Sequence, residues 1–123
     1  MPKLVIVRGL PGSGKTTFAK SLNFKKHFEA DMWFDLYHKG VFDSKLAPKA
    51  HDWCQKNTFL SLEQGFDTVV ANTFMQKKDM NPYLSFARLK SITVEVKICS
   101  GNYKSIHNVP EKILERMKAS FEL

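Results

Sequence analysis

Two periods of hydrophobic spacing alternate along this chain. Lys3-Leu4-Val5-Ile6-Val7 and Thr68-Val69-Val70-Ala71 are short, nearly continuous apolar runs rich in β-branched residues. Runs of that kind suit strands buried on both faces, as in a parallel sheet with helices on each side. Ile92-Thr93-Val94-Glu95-Val96-Lys97-Ile98 alternates strictly, which predicts a strand with one solvent-facing side, near a sheet edge. A shorter segment, Phe28–Ala30, predicts the second strand. Between these lie helical patterns. One opens at Thr16 from a glycine-rich loop and runs to Leu22. A longer one, from about Leu46 to Gln64, carries Leu46, Ala50, Trp53, Cys54 and Leu60 at near-helical spacing, with Pro48 in its first turn and Gly65 as its stop. Asn81–Leu89 has Pro82 near its start. Glu111–Phe121 follows Pro110 and sets Ile113, Leu114, Met117 and Phe121 on one face. Strands alternating with helices, without repeats or linkers, predict a single doubly wound α/β domain over residues 1–123.

Composition narrows this picture. A chain of 123 residues with 43% hydrophobic and 25% charged residues is an ordinary globular domain, neither disordered nor collagen-like. No apolar run approaches the ~20 residues of a membrane span. The four apolar residues after Met1-Pro2-Lys3 are too few for a secretory signal. Cys54 and Cys99 form no disulfide framework, so the expectation is a cytoplasmic protein with reduced thiols. The net charge is +7, with +5 in residues 1–60 and +2 in residues 61–123. Such a balance favours anionic partners, nucleotides or nucleic acid, although 16 of the 19 basic residues are scattered lysines.

The chemistry is concentrated in Gly9-Leu10-Pro11-Gly12-Ser13-Gly14-Lys15-Thr16, a full match to the phosphate-binding pattern G-x-x-x-x-G-K-[ST]. A loop that wraps a phosphate must bring backbone N–H groups close, and side chains at the nearest positions would obstruct it. Lys15 supplies a point charge to the β- and γ-phosphates. The Thr16 hydroxyl is a hard ligand for Mg²⁺. The following helix, with Thr17 in its first turn, aims its positive end at the same place. Strand before and helix after are the context this motif requires. A loop that binds nucleotide without doing chemistry would carry the same residues.

Two further groups belong at the same end of the sheet. In Glu29-Ala30-Asp31, a strand ending just before Asp31 puts that carboxylate beside the loop. There it can take a proton from an attacking hydroxyl or hold a magnesium water; alternatively it caps the next turn. In Val69-Val70-Ala71-Asn72-Thr73, Asn72 stands where many P-loop enzymes place an Asp that helps to hold magnesium. Asn72 and Thr73 are candidates for orienting a substrate hydroxyl or phosphate, or a polar turn after a buried strand. Trp33 and Phe34 are either stacking surfaces for a base or core. Trp53 and His51 read as packing residues, and Cys54 and Cys99 as buried thiols.

The ordered set Arg8-Gly-Leu-Pro-Gly-Ser-Gly-Lys-Thr-Thr, Ala30-Asp31-Met32-Trp33-Phe34, Ala50-His51-Asp52-Trp53-Cys54, Val70-Ala71-Asn72-Thr73-Phe74, Pro82-Tyr83 and Ile106-His107-Asn108-Val109-Pro110 resembles the small P-loop kinases of the polynucleotide-kinase type. These are AAA-like ATPases common in phages, which would make the compartment the host cytoplasm. The resemblance implies a P-loop NTPase three-layer fold, shortened at the C-terminus relative to relatives that continue into another strand. It implies ATP and Mg²⁺ as cofactors, with Lys15 and Thr16 on the phosphates and the metal. It makes Asp31 the general base on the acceptor hydroxyl and Asn72 and Thr73 a polar pair after the third strand. It also implies a lid over ATP at 101–110, carrying Lys104 and His107. Related kinases follow the acid with a basic residue and carry lid arginines. Here Met32, Trp33 and Phe34 follow it, and Arg116 on the next helix is the first arginine beyond the lid.

These readings point to an ATP- and Mg²⁺-dependent phosphotransferase acting on a hydroxyl. Its catalytic residues would be Lys15, Asp31 and Arg116. Residues Gly9 to Thr17 would hold the nucleotide, and Trp33, Asn72, Thr73 and His107 the substrate, a single-stranded nucleic-acid end. The competing readings are a nucleotide-binding regulatory or interaction protein and a small-molecule nucleoside or nucleotide kinase.

Overall fold

The computed structural model describes residues 2–101 and 111–123. Four strands, β1 (Lys3–Gly9), β2 (Lys26–Phe28), β3 (Thr68–Asn72) and β4 (Thr93–Cys99), form one sheet in the order β2-β3-β1-β4. Every neighbouring pair is parallel. The helices are α1 (Lys15–Ser21), α2 (Asp31–Tyr37), α3 (Ala47–Glu63), α4 (Asn81–Leu89) and α5 (Glu111–Ser120). Short 3₁₀ turns at Ser44–Leu46 and Lys77–Met80 lead into α3 and α4.

Period two explains the unbroken apolar runs. Along β1 and β3, Leu4, Ile6 and Val70 face one way and join Phe34, Ala50, Cys54, Leu62 and Tyr83 of α2, α3 and α4 in the larger core. Val5, Val7, Val69 and Ala71 face the other way and pack with Ala19 of α1. Both sides are covered, so neither strand can alternate with polar residues. Burying each large aliphatic side chain contributes about 1.5–3 kcal/mol. β4 pairs with β1 at the rim of the described sheet, and Thr93, Glu95, Val96 and Lys97 are exposed, as its alternation predicts. The long helix likewise begins with Pro48 in its first turn.

The second strand differs from expectation. It ends at Phe28, and Asp31 opens helix α2 instead of closing a strand. Three consecutive apolar residues, Met32-Trp33-Phe34, hide the 3.6-residue period, and of this seven-residue helix only Phe34 is fully buried. The helix ends as the N–H of Gly40 turns back to the carbonyl of Phe34 at 2.8 Å. His51 is exposed, unlike the packing residue expected, whereas Trp53 packs edge-on against Phe28 with ring centres 6.0 Å apart. Helix α5 has no fully buried residue, but the tail beyond it docks. The Glu122 N–H donates to the Met75 carbonyl at 2.8 Å, and its carboxylate accepts from the Lys77 N–H at 2.6 Å. Among the described residues no helix is long and apolar enough to cross a membrane.

Candidate active site

The carboxyl ends of β1 and β3 and the turn after β2 converge at the glycine-rich loop. Its first residue closes β1, where the Gly9 N–H donates to the Thr73 carbonyl at 3.2 Å. A Cβ on Gly9 would lie 2.4 Å from Ser13 Oγ and 2.6 Å from the Cys99 carbonyl oxygen, so only glycine fits between the loop and β4. Gly14, the residue before α1, has a φ of 94°, in the left-handed region that favours glycine. The Ser13 N–H donates to Leu10 at 3.1 Å, and the Gly101 N–H donates to the Ser13 carbonyl at 3.1 Å, so Ser13 ties the loop to the end of β4. Pro11 and Gly12 form the intervening turn. Thr16 and Thr17 are exposed in the first turn of α1, a turn that has no acidic residue of its own.

Lys15 curls over this loop, with Nζ donating to the Leu10 carbonyl at 2.9 Å. Burial lowers its pKa below the usual lysine range, while the carboxylates of Glu29 and Asp31 pull in the opposite direction. The ammonium is half-buried at the loop, and a bound phosphate would replace the hydration it has lost. Asp31 is exposed at the first turn of α2, where the helix dipole favours a carboxylate.

Glu29 takes a part that the sequence did not reveal. The Thr16 hydroxyl lies 3.0 Å from each of its carboxylate oxygens, and His27 Nε2 lies 2.6 Å from Oε2. The His27 and Glu29 side chains are only 15% and 12% exposed. The available signal was their spacing: in extended backbone, residues two apart share a face. Glu29 was visible only as part of the run before Asp31, and His27 carried no cue.

Asn72 is buried, and both ends of its amide are engaged inside the protein. Its Oδ1 accepts from the Ala30 N–H at 2.9 Å, and its Nδ2 points at Cys54 Sγ at 3.6 Å. It therefore ties the end of β3 to the turn that presents Asp31. Burial raises the pKa of the Cys54 thiol. Thr73 is half-buried beside the loop. Trp33 is half-buried, edge-on to Phe34 at 5.1 Å and stacked with His38 at 6.5 Å, against the larger core. Arg116 lies on the exposed side of α5, with no hydrogen bond or ion pair to another described residue. Except for Gly101, the expected lid at 101–110, with Lys104 and His107, lies outside the described residues.

Whether the set suits Mg²⁺ follows from its donors. That ion takes hard oxygens, keeps several waters and shares phosphate oxygens instead of filling an all-protein cage. A threonine hydroxyl and a carboxylate 3.0 Å apart at the phosphate loop fit this demand. Among the described residues no cluster of three or more His, Cys, Asp or Glu forms such a cage.

Comparison with known proteins agrees with this geometry. The chain is 31% identical over 90 residues, 69% of its length, to human NEDD4-binding protein 2, and it spans 5% of that protein. Its fold matches a putative kinase from Chloroflexus aurantiacus with a TM-score of 0.67 at 18% identity, covering 80% of this chain and 59% of the other. It also matches a Pnkp1/Rnl/Hen1 complex with a TM-score of 0.65 at 16% identity, covering 94% of this chain and 38% of that one. The architecture is thus the P-loop NTPase fold shared with these structures. Residues 4–100, from the first strand to the end of the fourth, match the AAA domain family, and the chain belongs to it.

Proposed function

We propose that this protein is an ATP- and Mg²⁺-dependent phosphotransferase that moves the γ-phosphoryl to a hydroxyl, the 5′-hydroxyl of a nucleic-acid end. One observation carries the reading: the first turn of the helix after the phosphate loop meets the turn that presents Asp31, where the Thr16 hydroxyl lies 3.0 Å from Glu29, two residues before Asp31. A proton acceptor and the phosphate-binding loop therefore belong to one site. Phosphoryl transfer asks for little else, because it is mostly positioning and electrostatics.

The chain's own residues act as follows. The loop amides from Gly12 to Thr16 and Lys15 hold the β- and γ-phosphates in line with the acceptor. The carboxylate of Asp31 takes the proton of the attacking hydroxyl as its oxygen bonds to phosphorus and the bond to the β-phosphate oxygen breaks, leaving ADP. Asn72 fixes the turn at Ala30 and so aims Asp31. Mg²⁺, held through Thr16, supplies positive charge to the phosphate oxygens when bound. Trp33 would stack on the terminal base, a contact worth ~1–3 kcal/mol. A second reading, a nucleotide-binding interaction protein, draws support from the exposed apolar run Leu36, Tyr37, Val41 and Phe42 just past Asp31.

The test is incubation with γ-labelled ATP and a panel of acceptors, with and without Mg²⁺: 5′-hydroxyl DNA, 5′-hydroxyl RNA, nucleosides and nucleoside monophosphates. Label on a nucleic-acid 5′ end is the expected result, and Asp31→Asn should cut transfer ~10²–10⁴-fold while sparing ATP affinity. Label on a nucleoside or monophosphate alone would assign a small-molecule kinase. No labelled acceptor would favour the interaction protein.

A further inference from the structure

P-loop enzymes commonly set an acidic group against the magnesium ion from the end of a neighbouring strand. In this chain the residue at the end of β3 is Asn72, which is neutral. Its amide is occupied by the Ala30 N–H and Cys54. The charge that would balance a divalent cation at Thr16 must come from elsewhere if the site has it at all.

We propose that Glu29, held in place by His27, is the carboxylate of the divalent-cation site, supplying from the end of β2 the negative charge that the end of β3 does not. Three observations carry this. Thr16, whose hydroxyl the loop motif assigns to the metal, lies 3.0 Å from both Glu29 oxygens. A hydroxyl that donates its hydrogen to a carboxylate keeps its lone pairs for a cation. His27 holds one oxygen of the same carboxylate at 2.6 Å, as partners of ligating carboxylates do. Both side chains are largely buried, so the group is fixed before nucleotide arrives. A carboxylate alone at this position would repel a triphosphate. A carboxylate with a divalent cation between it and the phosphates would attract one. Glu29 therefore makes nucleotide affinity depend on the metal.

This rests on the nucleotide-binding part of the proposed function and deepens it. The experiment is calorimetric titration with ATP, once in excess Mg²⁺ and once in excess EDTA. The proteins are the parent chain, Glu29→Gln, His27→Gln and Asp31→Asn, each with a melting curve. Glu29→Gln is nearly isosteric and keeps an acceptor for Thr16, so only the charge is lost. The expected result is a Mg²⁺-dependent gain in affinity for the parent chain that falls at least ~10-fold in Glu29→Gln, with EDTA affinity unchanged or tighter. His27→Gln should lose part of that gain, and Asp31→Asn should keep most of it. Mn²⁺ titrated onto the ATP complex and followed by electron paramagnetic resonance gives a readout independent of heat, and Glu29→Gln should weaken that binding likewise. A Glu29→Gln variant that melts like the parent and retains the full Mg²⁺ gain overturns the assignment while leaving nucleotide binding intact. If Glu29→Gln does not fold, an undiminished gain in folded His27→Gln overturns it. A parent chain that binds ATP in neither condition overturns both this inference and the reading beneath it.

Discussion

Arg8 offers the sharpest quantitative test of how the site is held. It sits at 1% exposure in β1, one residue before the phosphate loop, and none of the carboxylates among the described residues pairs with it. Its charge is met by carbonyls instead. Nε and one terminal nitrogen donate to Phe74 at 3.1 and 2.8 Å, the same nitrogen approaches Met75 at 3.5 Å, and it also donates to Glu122. The guanidinium lies 4.6 Å from the centre of the Phe121 ring. Arg8→Met keeps much of the volume and removes every donor. The carbonyls of Phe74 and Glu122 then lose their partners, at about 1–3 kcal/mol each. The ring contact contributes about 0.5–2 kcal/mol more. Relief from desolvating a buried cation offsets part of this. The expected net loss is about 2–4 kcal/mol, or a fall of roughly 1–2 M in the urea midpoint at the slope typical of a small domain. Arg8→Lys should fall between the two, because a single ammonium cannot reproduce the planar fork. Hydrogen exchange adds a local readout: the Glu122 amide, bonded to Met75, should lose protection in Arg8→Met before the β1 amides do. An unchanged midpoint together with a still-protected Glu122 amide would refute the claim that Arg8 anchors the tail to the end of β3.

Three other outcomes follow from the same geometry. Gly9→Ala drives a Cβ against the Cys99 carbonyl, a backbone atom that cannot swing aside; ATP affinity by calorimetry should drop more than ~10-fold, a loss above about 1.4 kcal/mol, and undiminished affinity would mean the loop tolerates displacement. Phosphates favour the charged form of Lys15, whose pKa burial has lowered, so binding should take up protons as pH rises toward that pKa and weaken above it. In the unliganded protein the sign reverses: the unfolded chain keeps its proton longer, and the Lys15 contribution to stability rises with pH between its folded pKa and the ordinary lysine value. Buffers of different ionisation enthalpy measure the uptake, and Lys15→Ala should abolish it. Binding of a 5′-hydroxyl single strand should weaken steeply with salt as counterions are released, and Trp33→Ala should weaken it further; a melting temperature that collapses in that variant, in line with the ~3–5 kcal/mol of an emptied aromatic core position, would assign Trp33 to the core alone.

The sequence by itself determined the parts whose physics is local or periodic. A β-branched run covered on both faces must be continuous, so β1 and β3 were legible from their composition. A half-covered strand must alternate, so β4 declared its place at the rim. The phosphate loop was legible because closing backbone around an anion demands glycines at fixed positions and a cation after them. Asp31 was legible as a candidate for its residue type and neighbourhood, although its helix was not, since Met32-Trp33-Phe34 mask the helical period. What only the tertiary structure decided are the partnerships between residues distant in sequence. Thr16 and Glu29 are 13 residues apart, Ala30 and Asn72 are 42 apart, and Arg8 and Glu122 are 114 apart. None of these distances has a period, and no local propensity encodes them. They arise because the sheet order β2-β3-β1-β4 brings the turn after β2 and the end of β3 beside the loop that follows β1. The same closure gives Asn72 its partners in the turn before Asp31, gives Glu29 its place on Thr16, and makes a lone buried arginine the attachment point for the tail.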